Sequence, residues 1–179
     1  MYRRLKPEFP RLRLVLAPRH AERAAAVAAE LRRRGLPYRL RSDLPAAGAP
    51  GSEPGVLLVD TTGELKNLYA AADIVFVGKS LTRRGGQNLI EPALYGKPIV
   101  VGPNMENFAD VVADFRAADA LLQVADGAGL AEAVRALCAS PERRLALGRR
   151  AAEVVEQRRG AVAATVDALL PLFPLQGAR

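Results

Sequence analysis

The chain has 179 residues, half of them apolar, and a formal net charge of +7, which is enough for one packed α/β core and short for two. A lone cysteine, Cys138, excludes an intrachain disulfide, and a lone histidine, His20, leaves a His/Cys zinc site without a ligand set. No apolar run reaches the roughly 18 residues of a membrane span, and the start MYRRLKPEFP is too polar for a signal peptide, so the chain as given reads as soluble and cytoplasmic.

Short β-type runs alternate with helical patterns. LRLVLA (12–17) is followed by AERAAAVAAELRRRG (21–35), a helix by its Ala, Leu and Arg content, with Glu22 in its first turn and a stop at Gly35. YRLRS (38–42) leads into LPAAGAPGSEPG (44–55), whose Pro, Gly and Ser content marks a flexible connection. VLLVD (56–60) precedes the helix ELKNLYAAA (64–72), and IVFVG (74–78) precedes a glycine-containing segment that opens a further helix near Asn88. PIVVG (98–102) precedes NFADVVADFRAA (107–118), and LLQV (121–124) precedes GLAEAVRALCA (129–139). On the apolar stripe of that last helix, Leu130, Val134 and Leu137, Cys138 reads as a buried small hydrophobe rather than a nucleophile. From Pro141, suited to the first helical position, helix extends to about Phe173, with a break expected at Gly160.

Strand and helix in alternation predict a Rossmann-like, doubly wound α/β domain with a parallel sheet, in which ligands bind beyond the carboxyl ends of the strands. That rule selects Pro18-Arg19-His20, Thr61-Thr62-Gly63-Glu64, Gly78-Lys79-Ser80, Gly85 to Glu91 and Gly102-Pro103, each directly after a strand.

Gly78-Lys79-Ser80 has the ending of a P-loop, but the motif requires a glycine five residues before Gly78, and that position is Asp73, ahead of the strand. A dinucleotide fingerprint is absent from the first turn, Ala17-Pro18-Arg19-His20. Gly85-Gly86-Gln87-Asn88 makes better physical sense, because two glycines let backbone approach a ligand and the N–H groups opening the next helix suit phosphate. The alternative for the glycines is a tight turn. Glu91 either accepts hydrogen bonds from ribose hydroxyls or serves as a first-turn acid, and Pro92 predicts an irregular helix start. Arg19 either pairs with an anionic ligand or forms a surface salt bridge with Glu22. His20 is a helix-start residue or an acid/base group. Thr61 to Glu64 presents backbone groups to a base, caps a helix, or does both.

Taken together, APRHAER (17–23), DTTGEL (60–65), VG-x-S-L (77–81), GGQNLIEPALYGKP (85–98), GPNMENF (102–108) and RRGA (158–161) resemble the nucleotide-binding half of 3-deoxy-D-manno-octulosonic acid (Kdo) transferases, in register over about residues 12–165. The resemblance implies the C-terminal domain of a GT-B glycosyltransferase, inverting and metal-independent, without a cofactor. It implies CMP-Kdo as donor and a lipid A precursor as acceptor in lipopolysaccharide synthesis, at the cytoplasmic side of the inner membrane. It also implies a CMP-Kdo site that draws on Pro18, Arg19, His20, Thr62, Gly63, Glu64, Ser80, Gly85, Gly86, Asn88, Leu89, Ile90 and Glu91. Arg19 would meet charge on the leaving phosphate, the Gly63 region would hold cytosine, and Glu91 the ribose.

The family's acceptor half, which supplies its general base, and a first strand have no counterpart here. The whole chain, 1–179, is therefore expected to be one donor-binding domain of a larger enzyme, binding CMP weakly and transferring nothing alone. Lys79 stands where the family has a second glycine, and Gln87 where it has histidine. Two other readings stay open: another GT-B nucleotide-sugar transferase or epimerase half, preferring UDP, and a non-catalytic nucleotide-binding remnant. The net charge suits an anionic membrane surface or a phosphorylated acceptor. With five Phe, four Tyr and no Trp there is no aromatic platform among the basic residues, so nucleic acid is not an expected partner.

Overall fold

All six β-type runs form strands, each shorter than its run and each paired in parallel, in a computed structural model that describes residues 1–44 and 55–170. Most of the expected connection over 44–55, and the predicted helix beyond residue 170, lie outside the described residues. The strands divide between two compact units, residues 1–70 and 71–179.

The first unit opens with a four-residue helix that the periodicity did not announce, α1 (Tyr2–Leu5), which buries Leu5. Strands β1 (Leu14–Leu16), β2 (Arg39–Leu40) and β3 (Val56–Leu58) form a sheet in the order β1-β3-β2, with Leu14 opposite Val56 and both Leu16 and Leu40 opposite Leu58. Alternation puts these residues on one face. Helix α2 (Ala24–Arg33) covers that face with Ala24, Ala28 and Leu31, one helical stripe. The predicted helix start at Ala21 is a 3₁₀ turn, Ala21–Arg23, and the helix ends as expected at Gly35, whose φ of +60° lets Leu36 N–H reach Leu31 O at 2.9 Å. Helix α3 (Leu65–Ala71) follows β3.

In the second unit β4 (Val75–Phe76), β5 (Ile99–Val101) and β6 (Leu122–Gln123) lie in the order β4-β5-β6. Central β5 is wholly buried on both faces, as a continuous apolar run in a parallel sheet should be. The helices are α4 (Ile90–Leu94), α5 (Ala109–Ala117), α6 (Gly127–Ala139) and α7 (Pro141–Leu169). Ile99, Val101, Leu89 and Phe115 pack with Ala151, Val154 and Val155 of α7 in one core. Helix α6 starts earlier than its apolar pattern because Asp126 caps it, accepting from Ala128 N–H at 2.9 Å and Gly129 N–H at 2.8 Å. Cys138 on α6 is half-buried rather than buried.

Helix α7 corrects one expectation: it runs through Gly160 without a break. A helical glycine costs only about 1 kcal/mol relative to alanine, and Arg158, two residues earlier, ties α7 to Asp114 of α5 at 2.5 Å. Pro141 does sit in the first turn, behind a Ser140 cap that accepts from Arg143 N–H at 3.2 Å. Gly148 is where α7 crosses closest, since a Cβ there would lie 1.9 Å from Gly96 O. Much of the arginine excess is spent within the unit: Arg144 donates to the Leu137 and Cys138 carbonyls ending α6, and Arg150 to the Asp119 carbonyl just past α5.

Candidate functional site

Three loops leave the carboxyl edge of the β1-β3-β2 sheet. After β1, Pro18 is partly buried while Arg19 and His20 are exposed. Arg19 makes no ion pair or hydrogen bond among the described residues; Glu22, its alternative partner, lies instead 3.9 Å from His20 Nδ1. After β2, Ser42 donates from Oγ (2.6 Å) and from N–H (3.0 Å) to the carboxylate of Asp60, which follows β3. The Ser42 hydroxyl, more than any other group, holds the Asp60 carboxyl below its ordinary pKa. Glu64 accepts from Thr61 Oγ1 at 2.5 Å and pairs with Arg41 Nη2 at 2.8 Å. Its carboxylate is thus an internal anchor, and the groups presented outward are Thr62 and Gly63, the latter at φ +82°. Glu64 O also accepts from Leu68 N–H at 3.1 Å, so the segment opens α3 as well.

At the carboxyl edge of the β4-β5-β6 sheet the loops after β4 and β5 are stitched together. Ser80 is fully buried; its hydroxyl donates to Val77 O at 2.6 Å and accepts from Gly102 N–H at 2.8 Å, while its carbonyl accepts from Asn104 N–H and Nδ2, both at 2.9 Å. Ser80 was expected to contact the ligand itself. With its side chain enclosed, its part is to hold the two loops in register. Lys79, beside it, takes the left-handed backbone at φ +71° that glycine favours.

Gly85 and Gly86 are both buried, at φ +99° and +63°. At Gly86 a Cβ would lie 2.4 Å from Met105 Sδ, so only glycine satisfies both the backbone and the space. Gly85 N–H donates to Glu106 Oε2 at 2.6 Å, and Arg84 Nε approaches Glu106 Oε1 at 3.3 Å. The Gly85 amide is the main reason that the Glu106 carboxyl lies below its ordinary pKa. No acceptor among the described residues takes the backbone N–H groups of residues 86–89. Helix α4 then starts with Asn88 Oδ1 accepting from Ile90 N–H at 2.9 Å, and Asn88 Nδ2 lies 3.3 Å from Glu91 Oε1. Asn88 is exposed and Glu91 partly so, Ile90 packs beside the core, and the Leu89 side chain is fully buried. Pro92 falls in the first turn and interrupts no helical bond; the first is Ala93 N–H to Leu89 O at 3.4 Å. Because α4 has only five residues, its dipole is small, and the donors of the turn itself matter more.

An open depression lined by Pro103, Arg116, Asp119 and Gln123 includes one sequence-selected residue, Pro103, and its Asp119 is paired with Arg150 at 2.9 Å. Among the described residues there is no group of three or more His, Cys, Asp or Glu side chains able to hold a metal, and no helix long and apolar enough to cross a membrane.

No family model matches the chain. It is 42% identical over 160 residues to a 3-deoxy-D-manno-octulosonic acid transferase of Bordetella pertussis, covering 89% of this chain and 37% of that protein. With its Haemophilus influenzae counterpart it shares 36% identity over 171 residues, 95% of this chain and 39% of the other. The crystal structure of the C-terminal CMP-Kdo binding domain of WaaA from Acinetobacter baumannii matches with a TM-score of 0.76 at 32% identity, over 86% of this chain and 80% of that one. The chain belongs to the Kdo transferase family. Kdo transferases are glycosyltransferases, and the α/β fold here is the Rossmann-like type of a GT-B C-terminal domain. The chain spans about two-fifths of the length of these two curated Kdo transferases.

Of the sequence-selected residues, the first unit holds Pro18, Arg19, His20, Thr62, Gly63 and Glu64 on one sheet edge, and the second holds Ser80 and Gly85 to Glu91 on another. Sequence reasoning assigned no role to Arg41, Asp60, Glu106 or Asn107. Glu106 and Asn107 did lie in the quoted GPNMENF segment after a strand, and that position was the signal available.

Proposed function

We propose that this chain binds the nucleotide of CMP-Kdo and is the donor-binding part of a Kdo transferase. The observation that carries this reading is the run of backbone N–H groups at 86–89 that donate to nothing among the described residues, beside two glycines at positive φ on a carboxyl sheet edge. Such amides suit phosphate, and the exposed Asn88 and partly exposed Glu91 suit ribose hydroxyls. Charge grows on the CMP phosphate as its bond to Kdo breaks, so fixed donors there stabilise the transition state more than the ground state. In the first unit, Pro18, Arg19 and His20, and the outward Thr62 and Gly63 held by anchored Glu64, keep the roles that the family resemblance implies for them. Arg19, without an ion pair or hydrogen bond among the described residues, suits an anionic ligand.

The whole protein is proposed to transfer Kdo to a lipid A precursor at the inner membrane, with the general base supplied outside residues 1–179; this chain alone binds without transferring. Titration calorimetry with CMP, UMP and ADP tests the reading. The expected result is binding of CMP ahead of the other two, weakened by Arg19→Ala and by Glu91→Ala. Tighter binding of UMP assigns the chain to a UDP-sugar enzyme instead, and CMP affinity unchanged in both variants removes the proposed contacts.

A further inference from the structure

Lys79 combines three properties that no packing role explains. It is a non-glycine residue at φ +71°, it is half-buried, and its ammonium has no hydrogen bond or ion pair among the described residues. A residue held in left-handed backbone is strained, and the strain persists only where the surroundings impose it. Here the bonds from Thr82 N–H and Arg83 N–H to the Lys79 carbonyl, both 2.9 Å, and the buried Ser80 beside it impose the turn.

The turn aims the side chain. Lys79 Nζ lies 3.2 Å and Asn107 Nδ2 3.0 Å from the point where a Cβ on Gly85 would be. Asn107, exposed, also has no partner for its side chain among the described residues. Two nitrogen donors without acceptors therefore converge on the bare side of Gly85, from the loops after β4 and β5. The Gly85 amide, meanwhile, is occupied by Glu106, whose carboxylate is accompanied by Arg84. A donor that glycine backbone would otherwise offer to an anion is thus taken, and a full positive charge stands next to it.

We propose that Lys79 and Asn107 form a donor pair over the Gly85–Gly86 turn that binds a phosphate oxygen of the nucleotide donor, with Lys79 as an added anion contact of this chain. The proposal rests on the donor-binding reading above. An ammonium bonded to phosphate is a charge-assisted contact, stronger than the neutral amide it replaces, and it makes binding sensitive to salt.

Amide NMR titration of the 179-residue chain with CMP, cytidine and inorganic phosphate tests it, in the wild type, Lys79→Gly and Asn107→Ala. Lys79→Gly suits the left-handed turn, so folding is preserved or improved while the ammonium is lost. The expected result is CMP and phosphate affinity lower by about ten-fold in Lys79→Gly and about three-fold in Asn107→Ala, with cytidine binding unchanged in both. The Gly85 and Gly86 amides should shift with CMP and phosphate but not with cytidine. Equal CMP affinity in wild type and Lys79→Gly overturns the proposal, as does an equal loss for CMP and cytidine. If wild type binds phosphate in a Lys79-dependent way yet binds neither CMP nor cytidine, the donor-binding reading fails and the phosphate site stands. If it binds none of the three, both fall.

Discussion

At the carboxyl edge of the first sheet the loops are tied chiefly by side-chain carboxylates, Glu64 to Arg41 and Asp60 to Ser42, whereas at the edge of the second the central ties run through backbone, by Ser80 to Val77, Gly102 and Asn104. The first arrangement leaves Arg19 and His20 exposed on a loop of their own. The second leaves no room: glycine is required where the strands' following loops touch. Carboxylate ties lie partly in water and exchange cheaply with solvent, while a buried hydroxyl between two backbone groups has no substitute. The second edge is therefore the pre-shaped one, and the first supplies groups on longer, freer side chains.

The sharpest way to break this contrast is Gly102→Ala. The added Cβ would lie 2.4 Å from Ser80 O and 2.7 Å from Leu81 N, backbone atoms that cannot swing aside. A loss of about 3 kcal/mol in urea unfolding is expected. Ser80→Ala should follow at about 2 kcal/mol, because it strands the Gly102 N–H in a dry site. At the first edge Arg41→Ala should cost only about 1 kcal/mol, its pair with Glu64 being partly solvated. Were Arg41→Ala to cost as much as Ser80→Ala in the same assay, the distinction between the edges would fail.

The smallest effect is one of pH. Glu106 and Asp60 both have carboxyl pKa values lowered in the folded chain, by the Gly85 amide and the Ser42 hydroxyl respectively. Each tie is accordingly present above the unfolded carboxyl value and lost as pH falls through the folded one. The Gly85 and Ser42 amide resonances, followed by NMR during acidification, should both move toward unbonded positions at acid pH, and neither should titrate near neutrality.

Most strands were legible because apolar runs bounded by turn residues admit little else, whereas the central place of β5 in its sheet comes from its pairing with β4 and β6. Gly35 and Pro141 marked a helix end and a helix start through backbone geometry that depends on the residue itself. Gly160 misled because a glycine within a helix costs only about 1 kcal/mol relative to alanine and does not by itself end one. Ser80 was legible as special but not as buried, since the closeness of Gly102 is a property of two strands and not of either segment. Lys79 was legible as a departure from a glycine. That it takes the glycine-like backbone, with its ammonium brought to Gly85, depends on the turn around it.

Helix α7 has a consequence for synthesis. The first unit's sheet and its covering helix are complete once Leu58 has been made, but the core around Ile99 and Phe115 lacks Ala151, Val154 and Val155 until much later. At ribosomal speed that interval is roughly 5 to 20 s. From the synthesis of Val101 to that of Val155, roughly 3 to 11 s at the same speed, β5 is an apolar strand without its α7 cover.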